Sequence, residues 1–153
     1  MDLCTVAELK NTAGRILGVD FGDTRTGLAL SDPSRFLASG IGYISPGGIE
    51  KTATAVAGVA AEKGATCVVV GLPRNMDGSE GFRAARCREF AGLVAAKCPE
   101  IRVAMMDERL TTVSATRYLN ETNTRGKNRK GVIDTLSAQI ILQNALDLLK
   151  NLR

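Results

Sequence analysis

A short apolar run in the middle of the chain restricts the possible folds more than any other feature. Residues 66–71 read TCVVVG, and such a run is typical of a parallel strand that is covered on both faces. A helical apolar face precedes it, formed by Ile49, Ala53, Val56 and Ala60. A second helical face follows it, formed by Ala84, Cys87, Ala91, Val94 and Cys98. The pattern favours an α/β fold with helices on both faces of a sheet.

Three predicted strands form an antiparallel meander before this central unit. Turns rich in glycine, proline and polar residues separate the strands, which cover residues 15–21, 27–31 and 38–44. Residues 1–14 look like an N-terminal leader that need not join the core. We therefore expect a single domain from residue 15 to residue 153.

The last part of the chain predicts one strand and two helices. They are a strand at residues 101–106, a short helix from Thr111 or Thr112 to about Glu121, and a long helix from about Val132 to Leu149. The predicted order of elements is β-β-β-α-β-α-β-α-α. This order indicates a mixed five-stranded sheet with helices on both faces.

The composition excludes several kinds of site. The chain has 153 residues and no histidine, so its chemistry must run without an imidazole base or a histidine-ligated zinc. Aromatic residues make up 4% of the chain, with no tryptophan, which argues against a broad stacking surface for single-stranded nucleic acid. The net charge of +4 favours an anionic partner, but only weakly.

The cysteines and the first residues bear on the compartment. None of the four cysteines forms a Cys-x-x-Cys pair, and Cys67, Cys87 and Cys98 lie at apolar positions, so we expect reduced core residues. No apolar run reaches the ~18–20 residues of a membrane span. The start of the chain also lacks the basic and apolar regions of a signal peptide. We therefore expect a cytoplasmic protein with no membrane partner.

Three carboxylates stand where they can converge at one edge of the sheet. Asp20 ends the first predicted strand, Glu108 ends the fifth, and Asp134 leads the long helix. Converging carboxylates repel one another, and divalent cations relieve that repulsion. Carboxylate and water ligands suit Mg²⁺ or Mn²⁺, and two such ions about 3.5–4 Å apart suit phosphodiester hydrolysis.

Each acid also has an ordinary structural interpretation. Asp20 can cap the turn that follows it. Asp107 and Glu108 can belong to a surface ion-pair cluster, and only one of them need face the site, because successive strand side chains point in opposite directions; the pattern leaves open which one. A helix dipole can favour Asp134, but this acid leads an apolar stripe of Ala138, Ile141, Ala145 and Leu148. An acid on such a stripe favours a functional role.

A cluster of basic residues precedes the long helix. It contains Arg125, Lys127, Arg129 and Lys130. In isolation this cluster would be a solvated loop, but its position beside a candidate metal site favours contact with phosphate.

Two further arginines lie near the ends of predicted strands. Arg109 directly follows Glu108, where it can restrain a neighbouring acid or contact phosphate. Arg74 lies in the loop after the central strand, a position where α/β proteins tend to bind ligands. In that loop Asp77 and Glu80 resemble a capping box for the next helix. Capping does not explain Arg74, so it is a candidate substrate contact.

Four motifs of the chain resemble those of the YqgF/RuvX family. They are LGVDFG with Arg25 and GLA at residues 17–29, VVGLP with NMDG at residues 69–78, DERLTT at residues 107–112, and ID with Ala138 and ILQ at residues 133–143. Members of this family are described as nucleases of pre-16S rRNA and as Holliday junction resolvases, with an RNase H-like fold of the RuvC type.

The resemblance implies a set of site residues and a fold. Asp20, Glu108 and Asp134 would be the catalytic acids that bind the metal, and Arg25 is added as a contact to nucleic acid. The chain departs from the family pattern at Thr26 and Ser137 without changing an acid.

These features together favour a metal-dependent nuclease of structured nucleic acid. The 5′ end of pre-16S rRNA ranks ahead of a DNA four-way junction as its substrate. A resolvase acts symmetrically and should be a twofold dimer, and the sequence leaves a monomer or a homodimer open. An ATPase of the actin type ranks low, because such proteins need two domains of this kind. A non-catalytic RNA-binding or assembly factor stays open.

Overall fold

The computed structural model describes residues 3–108 and 128–152, with the side chains of all of these except residues 128–130. Its strands are β1 (Cys4–Thr5), β2 (Arg15–Asp20), β3 (Thr26–Ser31), β4 (Ala38–Ile44), β5 (Ala65–Leu72) and β6 (Arg102–Asp107). Its α-helices are α1 (Ile49–Lys63), α2 (Phe82–Lys97) and α3 (Asn128–Asn151), and a 3-10 helix covers Val6–Asn11. The short helix predicted near residues 111–121 lies outside the described residues.

The strands form one sheet in the order β1-β6-β5-β2-β3-β4. Neighbours from β1 to β2 run parallel, whereas β2, β3 and β4 pair in antiparallel fashion. The predicted mixed α/β sheet is confirmed, with six strands in place of five. Because β2, β5 and β6 are parallel, their carboxyl ends meet at one edge, where α/β proteins tend to bind ligands.

Alternate side chains of the central strands supply two cores, one on each face of the sheet. Leu17 and Val19 of β2 belong to the core beneath α1 and α2, whereas Ile16 belongs to the core beneath α3. Phe21 continues the first core by stacking on Phe90 of α2, with ring centroids 4.4 Å apart. Both faces of the sheet are therefore covered by helices, as the apolar central run predicts.

The extra strand comes from the segment that was predicted to be a leader. Cys4 and Thr5 pair with Ala104 and Met105 of β6. Just after them, Val6 and Leu9 are buried in the core beneath α3. The expectation that residues 1–14 need not join the core is wrong for this part, because two of its apolar side chains close the edge between β6 and α3.

The last helix begins earlier than predicted, and its buried face is displaced. It starts at Asn128 rather than near Val132. Ala138, Ile141 and Ala145 are fully buried as expected, but Leu148 is 40% exposed. The reason is that the buried face is centred further round the helix, on the side of Leu142, Leu146 and Leu149. No helix among the described residues is both long and apolar enough to cross a membrane.

The capping box predicted before α2 does not form. Asp77 accepts hydrogen bonds from the backbone and hydroxyl of Ser79 within its own turn, and Glu80 pairs with Arg88. The helix begins only after Gly81, which provides no side-chain cap. The loop closes on itself through Asn75, so its polar side chains are used within the turn and in ion pairs.

Candidate active site

The carboxyl ends of the parallel strands and the start of α3 surround a cavity of about 550 Å³. Asp20 is the last residue of β2, Glu108 directly follows β6, and Asp134 lies in the second turn of α3. All three side chains line the cavity. The structure thus brings together the three acids that the sequence singled out, from segments far apart in the chain.

Two glycines make room for this arrangement. Gly27 of β3 pairs with Asp20 across the sheet, and a Cβ atom at Gly27 would overlap the backbone carbonyl of Asp134. The missing side chain therefore lets α3 bring Asp134 alongside Asp20. On β5, a Cβ atom at Gly71 would overlap the carboxylate of Glu108. That space is occupied by the Glu108 side chain as it enters the cavity.

Two of the acids are poorly compensated in this environment. Burial raises the pKa of Asp20 from 3.8 to about 7, and the charge of Asp134 adds to this effect. Burial also raises the pKa of Glu108 from 4.5 to about 8, with the charge of Asp20 contributing. Asp20 is thus electrostatically coupled to both of its neighbours. A cation placed among them would relieve the repulsion that keeps them protonated.

Asp134 is held by an arginine. Arg25 Nε donates to Asp134 Oδ2 at 2.7 Å, and both side chains are partly buried, at 29% and 21% exposure. Arg25 lies in the turn after β2 and also lines the cavity. The residue predicted as a nucleic-acid contact therefore compensates one of the acids in this state.

The carboxylate oxygens of the three acids suit a hard cation, although in this structure they do not surround a single ion position. Carboxylate oxygens are the ligands that Mg²⁺ and Mn²⁺ prefer. Within residues 3–108 and 128–152, no three His, Cys, Asp or Glu side chains lie close enough to hold a single ion. The three acids of this cavity instead couple in pairs through Asp20. The residues present fit a divalent ion in their chemistry, and Asp20 is the natural shared ligand.

The two adjacent acids at the end of β6 lie in different environments. Glu108 is 8% exposed and lines the cavity. Asp107 Oδ2 lies 4.0 Å from Arg74 Nη1, and Arg74 also approaches Glu80 at 3.5 Å. Of the two acids, Glu108 is therefore the one that lines the cavity with Asp20 and Asp134. Arg74, the predicted substrate contact, instead pairs with acids at the base of its own loop.

The side chains of the remaining predicted basic contacts lie outside the described part of the structure. Arg109, Arg125 and Lys127 lie outside the described residues. Arg129 and Lys130 belong to the first turn of α3, five and four residues before Asp134 in the chain, but only their backbone is described.

Sequence reasoning missed one cationic residue, Arg83. It lies in the first turn of α2 and lines the cavity with the three acids. Its charge lowers the pKa of both Asp20 and Glu108, against the larger effect of burial. The available signal was its place in the helix that follows the central parallel strand, because the start of such a helix lies at the ligand-binding edge.

Comparison with known proteins adds a family to this geometry. The model of the RuvX family, described as Holliday junction resolvase, matches residues 14–148. A protein of Nocardioides sp. provisionally named pre-16S rRNA nuclease is 44% identical over 138 residues, which cover 88% of each chain. A protein of Acidiphilium cryptum with the same provisional name is 36% identical and covers 100% of this chain and 98% of its own length.

Solved structures share the fold at low sequence identity. RuvC of Thermus thermophilus superimposes with a TM-score of 0.54 at 15% identity, over 90% of this chain and 96% of its own. The Holliday junction resolvase of fowlpox virus gives a TM-score of 0.53 at 12% identity, over 90% and 99%. At such identities the likeness establishes the fold, which is the RuvC-type, RNase H-like fold expected from the motifs.

Proposed function

The chain belongs to the RuvX family, and on that premise we propose that it is a nuclease that depends on divalent metal ions and hydrolyses phosphodiester bonds in structured nucleic acid. Its first candidate substrate is the 5′ end of pre-16S rRNA, because the curated relatives carry that provisional name. We further propose that residues 15–153, together with the N-terminal residues that join the sheet and its core, act as one nuclease domain in the cytoplasm.

The observation that carries this proposal is the convergence of three acids on one cavity. Asp20, Glu108 and Asp134 come from three separate segments, and all of them line the same space. Burial raises the pKa of Asp20 and of Glu108, and the charge of a neighbouring acid adds to each shift, that of Asp134 for Asp20 and that of Asp20 for Glu108. Buried like charges destabilise a fold unless they bind a partner, so a purely structural role for all three is disfavoured.

In this proposal Asp20, Glu108 and Asp134 would hold Mg²⁺ or Mn²⁺. When bound, such ions lower the pKa of a water molecule and stabilise the charge that develops on phosphate oxygens. Asp20 and Glu108 must lose their protons to serve as ligands. Asp134 must exchange the hydrogen bond from Arg25 for the ion, which frees the guanidinium of Arg25 to contact a phosphate group of the substrate.

The rest of the cavity serves binding and orientation. The chain has no histidine, so among the described lining residues the acids are the proton acceptors of the usual catalytic types. In this proposal seven basic residues would hold the flanking backbone through charge, as basic side chains do in other nucleic-acid complexes. They are Arg25, Arg74, Arg109, Arg125, Lys127, Arg129 and Lys130.

A second candidate function is resolution of a four-way DNA junction. It is favoured by the description of the matching family model. Symmetric cutting of a junction needs two active sites related by a twofold axis. The resolvase function therefore requires a homodimer, whereas trimming of an rRNA end can be performed by a monomer.

The test is a cleavage assay on both substrates with the purified full chain. An end-labelled pre-16S rRNA fragment and a labelled four-way junction are incubated with Mn²⁺ or with a chelator. We expect the wild type to cut the rRNA with Mn²⁺ and not with chelator. Asp20→Asn should abolish cutting while leaving the affinity for RNA nearly unchanged.

The matched control is Asp32→Asn. Asp32 accepts hydrogen bonds from the backbone of Phe36 and Leu37, far from the cavity, and asparagine can accept the same bonds. This variant should cut as the wild type does. Tight RNA binding without cleavage by the wild type would instead favour an assembly factor, and cleavage of the junction alone by a dimer would favour the resolvase.

A further inference from the structure

We propose that Arg83 binds a phosphate group of the nucleic acid directly beside the three carboxylates. This inference rests on the proposed function, because it names a substrate contact within the same site. Arg83 lies in the first turn of α2 and lines both the main cavity and a smaller adjoining one. It therefore stands at the wall where the backbone of a bound strand would pass the acids.

Arg83 differs from the neighbouring arginines in having no fixed partner. Arg25 is bonded to Asp134, Arg86 to Asp23, and Arg88 to Glu80 through two nitrogens at 2.7 Å each. Arg83 forms no hydrogen bond or ion pair with any residue in the described part of the chain. Its planar set of donors is therefore free to bind a phosphate through two hydrogen bonds, the geometry for which guanidinium is well suited.

The charge balance of the cavity explains why such a residue is needed. Its lining includes four acids, Asp20, Asp23, Glu108 and Asp134, and two arginines, Arg25 and Arg83. Arg25 pairs with Asp134 in this structure and is released only when an ion replaces that pair, and Asp23 pairs with Arg86. Among the described lining residues, Arg83 is thus the cation whose charge is not committed to an ion pair. A phosphate that enters an acidic cavity needs such a charge.

Arg83 could instead act only on the acids, by reducing their mutual repulsion. The two roles differ in what they do to binding. A direct phosphate contact releases counterions, so its loss reduces the salt dependence of the affinity by about one charge. An effect through the carboxylates changes metal binding and leaves the salt dependence of RNA affinity unchanged.

The experiment measures the affinity of labelled pre-16S rRNA by fluorescence anisotropy across a range of salt concentrations. The full-length Asp20→Asn variant is used with a chelator, so that neither cutting nor residual metal binding interferes, and Arg83→Gln is added to it. We expect the dissociation constant to rise about tenfold. We also expect the slope of log K against log salt to fall in magnitude by about 0.7–0.9.

Two further variants make the result specific. Arg88→Gln removes an arginine of the same helix whose charge is already paired with Glu80. Because this variant loses only a surface ion pair, its affinity for RNA should change less than twofold. Arg83→Lys keeps the charge and should preserve the salt slope while losing part of the affinity. Thermal unfolding of each variant checks that the fold is intact.

The outcomes separate this inference from the proposed function. Equal affinities for the Arg83→Gln and Arg88→Gln variants would overturn the inference, even if the wild type cuts RNA with Mn²⁺. A loss of affinity with an unchanged salt slope would also overturn it, because Arg83 would then act through the carboxylates. A third outcome is that the wild type cuts no substrate, while Arg83→Gln still lowers both the affinity for RNA and its salt dependence. In that case the inference stands and the nuclease proposal fails.

Discussion

Charged side chains are buried at both edges of the parallel strands, and the two regions differ in how the charges are satisfied. At the amino ends, Arg35 is 9% exposed and donates to the carbonyl oxygens of Leu9, Thr12 and Gly14 at 2.6–3.1 Å. At the carboxyl ends, Asp20 and Glu108 have raised pKa values because burial is not offset by donors. A fully bonded buried charge has a structural role, whereas an uncompensated acid pair is suited to binding a cation.

The Arg35 region fastens the first residues of the chain to the sheet. Its guanidinium also donates to the hydroxyl of Thr12 at 2.9 Å, so three nitrogens are all engaged. Arg35 adopts a left-handed backbone with φ of 63°, a conformation that costs free energy in a residue other than glycine. The fold tolerates this conformation because it directs the side chain to the carbonyl groups that end the 3-10 helix.

The largest effect on stability should come from Arg35→Met. This change removes a donor from the carbonyl groups of Leu9, Thr12 and Gly14, of which that of Leu9 keeps its hydrogen bonds from Thr12. Each partly buried carbonyl group left without a partner costs about 1–3 kcal/mol. We expect the free energy of unfolding to fall by about 3 kcal/mol or more, measured by urea denaturation. The cleavage rate of the folded fraction should stay at the wild-type level, since the active site lies at the other edge.

Arg102→Gln is the matched control for this comparison. Arg102 lies at the same edge of the sheet, at the start of β6, but its side chain is exposed. Within the described part of the chain, its guanidinium forms only one long contact, to Cys4 Sγ at 3.9 Å. We expect a change within about 0.5 kcal/mol, as for ordinary surface substitutions. Similar losses for both variants would contradict the structural role assigned to Arg35.

A smaller loss of stability and a large loss of activity should follow from Gly71→Ala. The added methyl group would overlap the carboxylate of Glu108 and approach Ile141 Cδ1 at 2.6 Å. Overpacking of this kind costs about 1–3 kcal/mol. Displacing a ligand by about 1 Å can lower a rate by roughly 100-fold. Mn²⁺-dependent cleavage and urea denaturation measure the two effects.

Gly58→Ala tests whether these effects are specific to the site. Gly58 lies in α1, and a Cβ atom there would meet no atom within 4 Å. We expect this variant to be more stable by about 0.5–1 kcal/mol, because alanine favours a helix interior over glycine. Its cleavage rate should equal that of the wild type; an equal loss of activity in both alanine variants would argue against the Glu108 contact.

A further effect is a pH dependence of stability that arises at the carboxyl ends of the parallel strands. Asp20 and Glu108 have higher pKa values in the fold, about 7 and 8, than the ordinary values of 3.8 and 4.5. The folded state therefore binds more protons, and their contribution is complete below about pH 4 and is lost as the pH rises towards 8. Without divalent ions, the free energy of unfolding of the wild type should fall over this window relative to Asp20→Asn.

Asp20→Asn should flatten this dependence for two reasons. It removes one of the two titrating groups, and it removes the charge that helps to raise the pKa of Glu108. Urea denaturation at several pH values gives the comparison. A wild type that gains stability over Asp20→Asn as the pH rises would mean that these acids are compensated in the fold.

The sequence predicted the sheet and the position of the acids because both follow from local patterns. Apolar periodicity identified β5 and the helices on each side of it, and the positions of Asp20 and Glu108 at strand ends indicated one shared edge. Periodicity could not indicate that Val6 and Leu9 would fill a gap beside α3, because their burial depends on a surface that only the folded sheet provides. The capping box predicted before α2 was wrong for a related reason, because Asp77 instead accepts hydrogen bonds from Ser79 within its own turn.

The electrostatic partners within the site could not be predicted from the sequence either. The bond between Arg25 and Asp134 joins residues 109 positions apart, and no spacing rule predicts it. Arg83 was missed because it flanks the apolar stripe of α2 rather than lying on it. Gly27 and Gly71 look like ordinary strand glycines until the backbone of α3 and the side chain of Glu108 are placed against them.

The most direct test of the proposed metal site is calorimetry of Mn²⁺ binding to the full chain. The titration is performed at about pH 6.5 in two buffers of different ionisation enthalpy, which reports the number of protons released. Asp20 and Glu108 are largely protonated below their raised pKa values. Ion binding to the wild type should therefore release protons, and Asp20→Asn should lose most of both the binding and the release. Absence of Mn²⁺ binding, or equal binding and proton release in the variant, would contradict the assignment of these carboxylates as metal ligands.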